Sequence, residues 1–126
     1  MADTAVQRYM TLADRGYGDD EAYEELVALF AADAVVDIDG TPVRGTAEIR
    51  ALYRRFFDEG SESSHYWHTE ILADGTHKTV WVESGRLADG RLTSVAGIEY
   101  ATLDSDGLIS SLRNEPIQEF HSEPPR

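Results

Sequence analysis

Residues 29–53 read LFAADAVVDIDGTPVRGTAEIRALY, and the order of signals in this stretch decides the fold. An amphipathic helix is expected to end at Phe30-Ala31-Ala32-Asp33, and a short strand to follow over residues 34–39. Gly40-Thr41-Pro42 reads as a turn, after which Thr46, a good N-cap residue, starts a second helix. A helical crossover between parallel strands takes a dozen or more residues. The stretch is too compact for that, so two helices must pack beside one strand. The strand ends in Asp37 and Asp39, which would mark a place for chemistry.

Working outward, the helical spacing i, i+3, i+4, i+7 recurs three times. Val6, Tyr9, Met10 and Ala13 carry it first, then Tyr23, Leu26, Val27 and Phe30, then Ile49, Leu52, Tyr53 and Phe56. Asp19-Asp20-Glu21 suits the cap and the positive end of the second helix, and Gly60 should stop the third. The second half is strand-rich, with strands expected over residues 65–72, 78–87, 91–103 and 108–120. Ala73-Asp74-Gly75, Ala88-Asp89-Gly90 and Asp104-Ser105-Asp106-Gly107 are the turns between them. Consecutive hairpins imply a curved antiparallel sheet, and the apolar helix stripes must cover one of its faces. The expected fold is therefore α+β, with three N-terminal helices over a curved sheet enclosing a cone-shaped pocket suited to a small molecule. Residues 1–126 read as one domain with a frayed tail over residues 121–126.

Composition narrows the function classes. Eleven Lys and Arg against 24 Asp and Glu leave a net charge of −13, which disfavours nucleic acid and anionic lipid as partners. The acidic residues around positions 14–25 and 58–62 are expected to be solvated helix ends. No apolar run is long enough to span a bilayer, and the start Met1-Ala2-Asp3-Thr4 has no secretory character. The absence of cysteine removes disulfides, thiol nucleophiles and thiolate metal sites, and is consistent with the cytoplasm. P-loop, dinucleotide and G-x-S-x-G signatures are missing, and nothing implies a metal or another cofactor.

Nearly the whole chain, and residues 30–53 above all, resembles the nuclear transport factor 2-like superfamily in its SnoaL-like and ketosteroid isomerase-like branch. That branch holds isomerases, polyketide cyclases, dehydratases, epoxide hydrolases and non-enzymatic binding domains, so fold alone does not decide function. The helix Arg8-Tyr9-Met10-Thr11-Leu12-Ala13-Asp14-Arg15-Gly16 is similar to the isomerase pattern R-Y-x-x-L-x-D-x-G, which implies Tyr9 as the active tyrosine. Counting back from Leu103-Asp104-Ser105-Asp106-Gly107 implies Glu99 at the oxyanion-binding acid, and the resemblance also implies Tyr53 as a further pocket tyrosine. The catalytic aspartate of those isomerases aligns with Ile38, flanked by Asp37 and Asp39, and the following turn is shorter here.

The residues themselves support a site across the cavity from that strand. Glu99 shares its strand parity with Val95, Gly97, Ala101 and Leu103, so its carboxyl points where apolar groups point. Burial would raise its pKa, making it an oxyanion donor or a base near neutrality; a structural buried carboxyl is the alternative. Tyr9 and Tyr53 sit in apolar helical stripes, where core packing competes with a pocket role. Phe30 belongs to the core or the pocket wall. Ala34, Val36 and Ile38 are read as the inward face of the early strand, with Asp39 able to turn inward at its end as the reserve base. His65 and His68 lie three apart and face opposite ways on a strand. His68 is taken as the inward one with Tyr66 on its face, His65 and Trp67 as outward. Trp81 would line the cavity or a sheet contact. Leu112 and Asn114 are expected inward, and Arg113 outward beside a carboxylate such as Glu83.

The expected function is binding of a small, apolar, oxygenated molecule with cofactor-free isomerase, cyclase, dehydratase or hydratase chemistry. Glu99 and Tyr9 would polarise a carbonyl, and His68 or Asp39 would move the proton. The other readings are a non-catalytic ligand-binding module and a dimeric partner domain. In all of them the exposed sheet face calls for a homodimer.

Overall fold

The computed structural model describes residues 3–125; Met1, Ala2 and Arg126 lie outside that description, and with them part of the N-terminal and tail readings above. The elements run α1 (Ala5–Arg15), α2 (Asp20–Val27), β1 (Phe30–Asp37), β2 (Val43–Arg44), α3 (Thr46–Glu59), β3 (Gly60–Ile71), β4 (His77–Leu87), β5 (Leu92–Leu103) and β6 (Ile109–His121). One curved sheet has the order β2-β1-β6-β5-β4-β3. The three helices pack on it, α1 against β3 and α2, and α3 against α2, β1, β2 and β3. The α+β architecture expected from the periodicities is present.

Several local details differ, among them the start of β3 at Gly60, five residues before the expected strand. Phe30 and Ala31 begin β1 rather than end α2, because α2 stops at Val27 and its cap Ala28 donates back to Glu24 and Leu26. The turn after β1 contains the two-residue strand β2, and β1 pairs with β6 in parallel. Thr46 is the first residue of α3 and not its cap; Gly45 holds the cap position with φ 86°, and Glu48 reaches back to accept the Arg44 N–H at 3.0 Å. Asp19 does cap α2, accepting the Ala22 N–H at 3.0 Å. At the other end, β6 runs through His121, and Ser122 exchanges hydrogen bonds with Leu92, so order extends into the expected tail.

The first two hairpin turns use one device. Gly75 and Gly90 adopt φ near +90°, which a side chain would strain, and Asp74 and Asp89 accept the N–H two residues on. Bulges in the β5–β6 ladder at Ala96/Gly97 and Thr102/Leu103 bend the sheet towards the helices. The core lies in that concavity. Val6 of α1, Leu26 of α2, Ile49 of α3 and Val36 of β1 are all fully buried. Burying such aliphatic side chains contributes about 1.5–3 kcal/mol each, enough to hold helices whose own propensity is marginal. No described helix is long and apolar enough to cross a membrane.

Candidate active site

The helices do not fill the concavity. A cavity of about 710 Å³ remains between α1, α3 and the inner faces of β3–β6, reaching the surface between the end of β1 and the second half of β6. Its floor is set by register. The β3–β4 and β4–β5 hairpins pair odd residues with odd residues, and the β5–β6 hairpin carries the inward face of Glu99 across to Asn114. Three successive rows result. The first runs Thr79–Glu99–Asn114, the second Trp67–Trp81–Gly97–Pro116, and the third His65–Glu83–Val95–Glu119.

The first two rows carry an unusual feature. Among the described residues, three buried side-chain atoms lack a hydrogen-bond partner: Trp81 Nε1, Glu99 Oε1 and Asn114 Oδ1. All three residues line this cavity. An unpaired buried polar atom costs about 1–3 kcal/mol, so three on one wall call for partners that a ligand or water in the cavity would supply. Glu99 is 2% exposed, and burial pushes its pKa up to about 8, so at neutral pH it keeps its proton and can donate. Trp81 reaches this position because residue 97 is glycine. A Cβ there would lie 2.9 Å from the indole Cζ2 and 2.9 Å from the Glu115 carbonyl oxygen. Over the same wall, Tyr9 and Tyr53 join their hydroxyls at 2.8 Å. Burial raises both phenols, and the nearby Glu99 raises them further.

The third row holds a second arrangement. His65 Nδ1 is 2.5 Å from Asp14 Oδ1. Asp14 also accepts the His65 backbone N–H at 2.8 Å and the Ser63 hydroxyl at 2.7 Å, which ties α1 to β3. The His65 ring lies 5.9 Å from the Trp81 ring and lines the cavity. With Asp14 accepting at Nδ1, the basic nitrogen left is Nε2, the arrangement in which a carboxylate orients a histidine base. Burial holds the Glu83 carboxyl above its usual range, and the Thr93 hydroxyl donates to it at 3.3 Å and opposes that shift.

Placement of the expected residues divides accordingly. Tyr9, Tyr53, Ile38, Trp81, Glu99 and Asn114 line the cavity. Asp39 stands at its mouth, exposed, beyond the end of β1 and 3.9 Å from Arg55. Phe30 and Leu112 are buried in the core beneath, Phe30 edge-on to Tyr9 at 6.1 Å. The histidine assignment is inverted. His68 and Tyr66 lie on the outer face, with Tyr66 73% exposed, whereas His65 and Trp67 point inward. Trp67 donates from Nε1 to Gln7 Oε1 at 2.7 Å. The physical reason is the odd-with-odd pairing, which carries the face of Glu99 through Thr79 to Thr69 and so to His65. The same parity turns Glu83 inward, so Arg113 pairs with Glu115 instead. Asp14, read as part of a solvated helix end, is the His65 partner; that signal was present in its position four residues after Met10 on the apolar face of α1. Among the described residues no group of three or more His, Asp and Glu could hold a metal ion.

Comparison with known proteins follows the same line. A family model described as SnoaL-like domain matches residues 6–112. No curated protein sequence matches the chain. Among solved structures, an NTF2-like protein of unknown function from Exiguobacterium sp. 255-15 is 27% identical, with 91% of this chain and 99% of that one covered at a TM-score of 0.84. A Δ5-3-ketosteroid isomerase from Mycobacterium sp. is 23% identical over 94% and 95% of the two chains, at 0.78. A computationally designed 17-OHP binder is 17% identical over 94% and 95%, at 0.77.

Proposed function

We propose that this chain, which belongs to the SnoaL-like domain family, binds an apolar oxygenated small molecule in its cavity and moves a proton on it without a cofactor. One observation carries the reading: Trp81 Nε1, Glu99 Oε1 and Asn114 Oδ1 are buried, unpartnered and on one cavity wall. Protonated Glu99 and the Trp81 N–H donate to a ligand carbonyl or phenolic oxygen, and Asn114 Oδ1 accepts from a ligand hydroxyl. The Tyr9–Tyr53 pair lies over this wall and adds a polarisable hydroxyl. His65, oriented by Asp14, takes the place sought for His68 and removes or returns the proton. Donors aimed at developing negative charge in a water-poor site are the larger catalytic contribution, and the base the smaller. The isomerase and the designed binder are precedents on this fold for catalysis and for binding alone. The apolar Ile38, at the mouth beside Asp37 and Asp39, favours the second, non-catalytic reading.

Titration with 4-phenylphenol, followed by tryptophan fluorescence, tests the wall. Glu99→Gln still donates through its amide but more weakly, so affinity is expected to fall about fivefold, as for a neutral hydrogen bond worth about 1 kcal/mol. Tyr9→Phe is expected to cost about threefold. Unchanged affinity in both folded variants would remove Glu99 and Tyr9 from the site.

The outer sheet face is proposed as a homodimer contact. Tyr66, Val80 and Val82 are exposed and adjoin one another through the Tyr66–Val82 and His68–Val80 pairs. Sedimentation is expected to give twice the 14.0 kDa chain mass, and Val80→Asp to return it to the single-chain value. A single-chain mass for the unsubstituted protein at high micromolar concentration would reject this contact.

A further inference from the structure

The cavity is polar at both ends in different ways. Its inner end has the three unpartnered atoms just described. Besides Glu99, its lining holds five carboxylates, Asp37, Asp39, Glu83, Glu115 and Glu119, against one arginine, Arg113, and of these Glu83 and Glu119 lie on the third row, away from Glu99. Arg113 is committed to Glu115, and Arg55 stands by Asp39. Glu83 and Glu119 have no ion-pair partner among the described residues. They flank Val95 on the third row, one on β4 and one on β6, so both side chains leave the same concave face about 10 Å apart at the backbone. Four residues along β5 separate this row from Glu99, a rise of about 13 Å.

Acidic side chains alone would be an ordinary solvated rim. Here the same cavity also holds Glu99 and Trp81, each more than nine-tenths buried with an unpartnered polar atom, so a ligand is called for independently of the rim. A molecule whose oxygen meets Glu99 and whose apolar body lies over Trp81 and Gly97 extends its far end to Glu83 and Glu119. We infer that the ligand carries a basic nitrogen, protonated at neutral pH, at the end opposite its anchored oxygen, and that Glu83 and Glu119 select it. This inference rests on the oxygen-anchoring wall proposed above and adds the charge class of the ligand. An anionic group at that end would meet two carboxylates without an ion-pair partner among the described residues, in a chain of net charge −13, and be disfavoured.

Three probes of one shape test the inference: 4-phenylphenol carrying 4′-aminomethyl, 4′-ethyl or 4′-carboxylate, titrated at pH 7. The amine is expected to bind about tenfold tighter than the ethyl probe, and the carboxylate at least tenfold weaker. Raising the salt from 0.05 to 0.5 M should shrink the amine preference severalfold by screening. In Glu83→Gln/Glu119→Gln the ratio of amine to ethyl affinity should fall to within twofold of unity, a ratio that cancels any general loss of affinity. Equal binding of amine and ethyl probes by the unsubstituted protein overturns the inference. So does an amine preference that survives the double substitution, since it would then come from the overall charge. The ethyl probe separates this outcome from failure of the wall itself: if it binds and responds to Glu99→Gln while the amine gains nothing, only the charge class is wrong. If none of the three binds, both readings fall.

Discussion

Between about pH 4.5 and pH 8 the folded chain is expected to lose stability as pH rises, by about 1.4 kcal/mol per pH unit from one residue, and Glu99→Gln is expected to abolish that contribution. Burial raises the Glu99 pKa from 4.5 to about 8. In this window the unfolded chain has released the proton and the folded chain still holds it. The folded state binds more protons, so raising the pH favours unfolding. The stability tied to this proton is fully present below pH 4.5 and lost by the time the pH passes about 8, a total on the order of 5 kcal/mol. Glutamine has nearly the same shape and no proton to lose. Urea unfolding at pH 5, 6, 7 and 8 should therefore give curves for the two proteins that nearly coincide at pH 5 and diverge upwards, the variant being the more stable. Parallel curves would mean that Glu99 titrates normally and cannot serve as a neutral donor at pH 7.

His65→Gln is expected to slow proton exchange on a bound ketone by a factor of 10² to 10⁴, equivalent to about 3–5 kcal/mol of barrier. The probe is 2-tetralone in D2O, whose benzylic α-hydrogens exchange when the carbonyl is polarised and a base is near. Mass spectrometry reads the deuterium. Asp14→Asn should also slow exchange strongly, because an amide presents a donor where Nδ1 requires an acceptor and disfavours the tautomer that leaves Nε2 basic. His68→Gln, on the outer face, should leave the rate unchanged. Exchange in His65→Gln at the original rate would exclude His65 as the base. If the unsubstituted protein binds the ketone and does not accelerate exchange over buffer, the non-catalytic reading replaces the catalytic one.

Much of this was legible along the chain because it is encoded locally. Helical spacing at Val6–Tyr9–Met10–Ala13 and the Asp74-Gly75 and Asp89-Gly90 turns act over a few residues, and they identify the helices, the hairpins and the curved sheet. Glu99 stood out because a carboxyl among apolar residues of one parity is a local contradiction that only burial resolves. The boundary at Phe30 was misplaced because an apolar Leu29-Phe30-Ala31 run satisfies a helix and a strand equally; pairing of Phe30 with Ile109 decides it. The inversion of His65 and His68 has a similar cause. Parity within a strand is local, but which parity faces inward is a property of the whole ladder, passed from strand to strand by the pairing of each hairpin.

By itself, then, the amino-acid sequence determined the three helices, the long strands and their order, the curved sheet under the helices and the identity of the buried acid. Tertiary structure alone decided which histidine enters the cavity, that Asp14 of α1 reaches across to orient it, and that Trp81, Glu99 and Asn114 bring unpaired atoms to one wall. The division follows from range. Backbone propensity and side-chain alternation act within a few residues, whereas hydrogen-bond partners 51 residues apart, such as Asp14 and His65, meet only after register and helix packing are set.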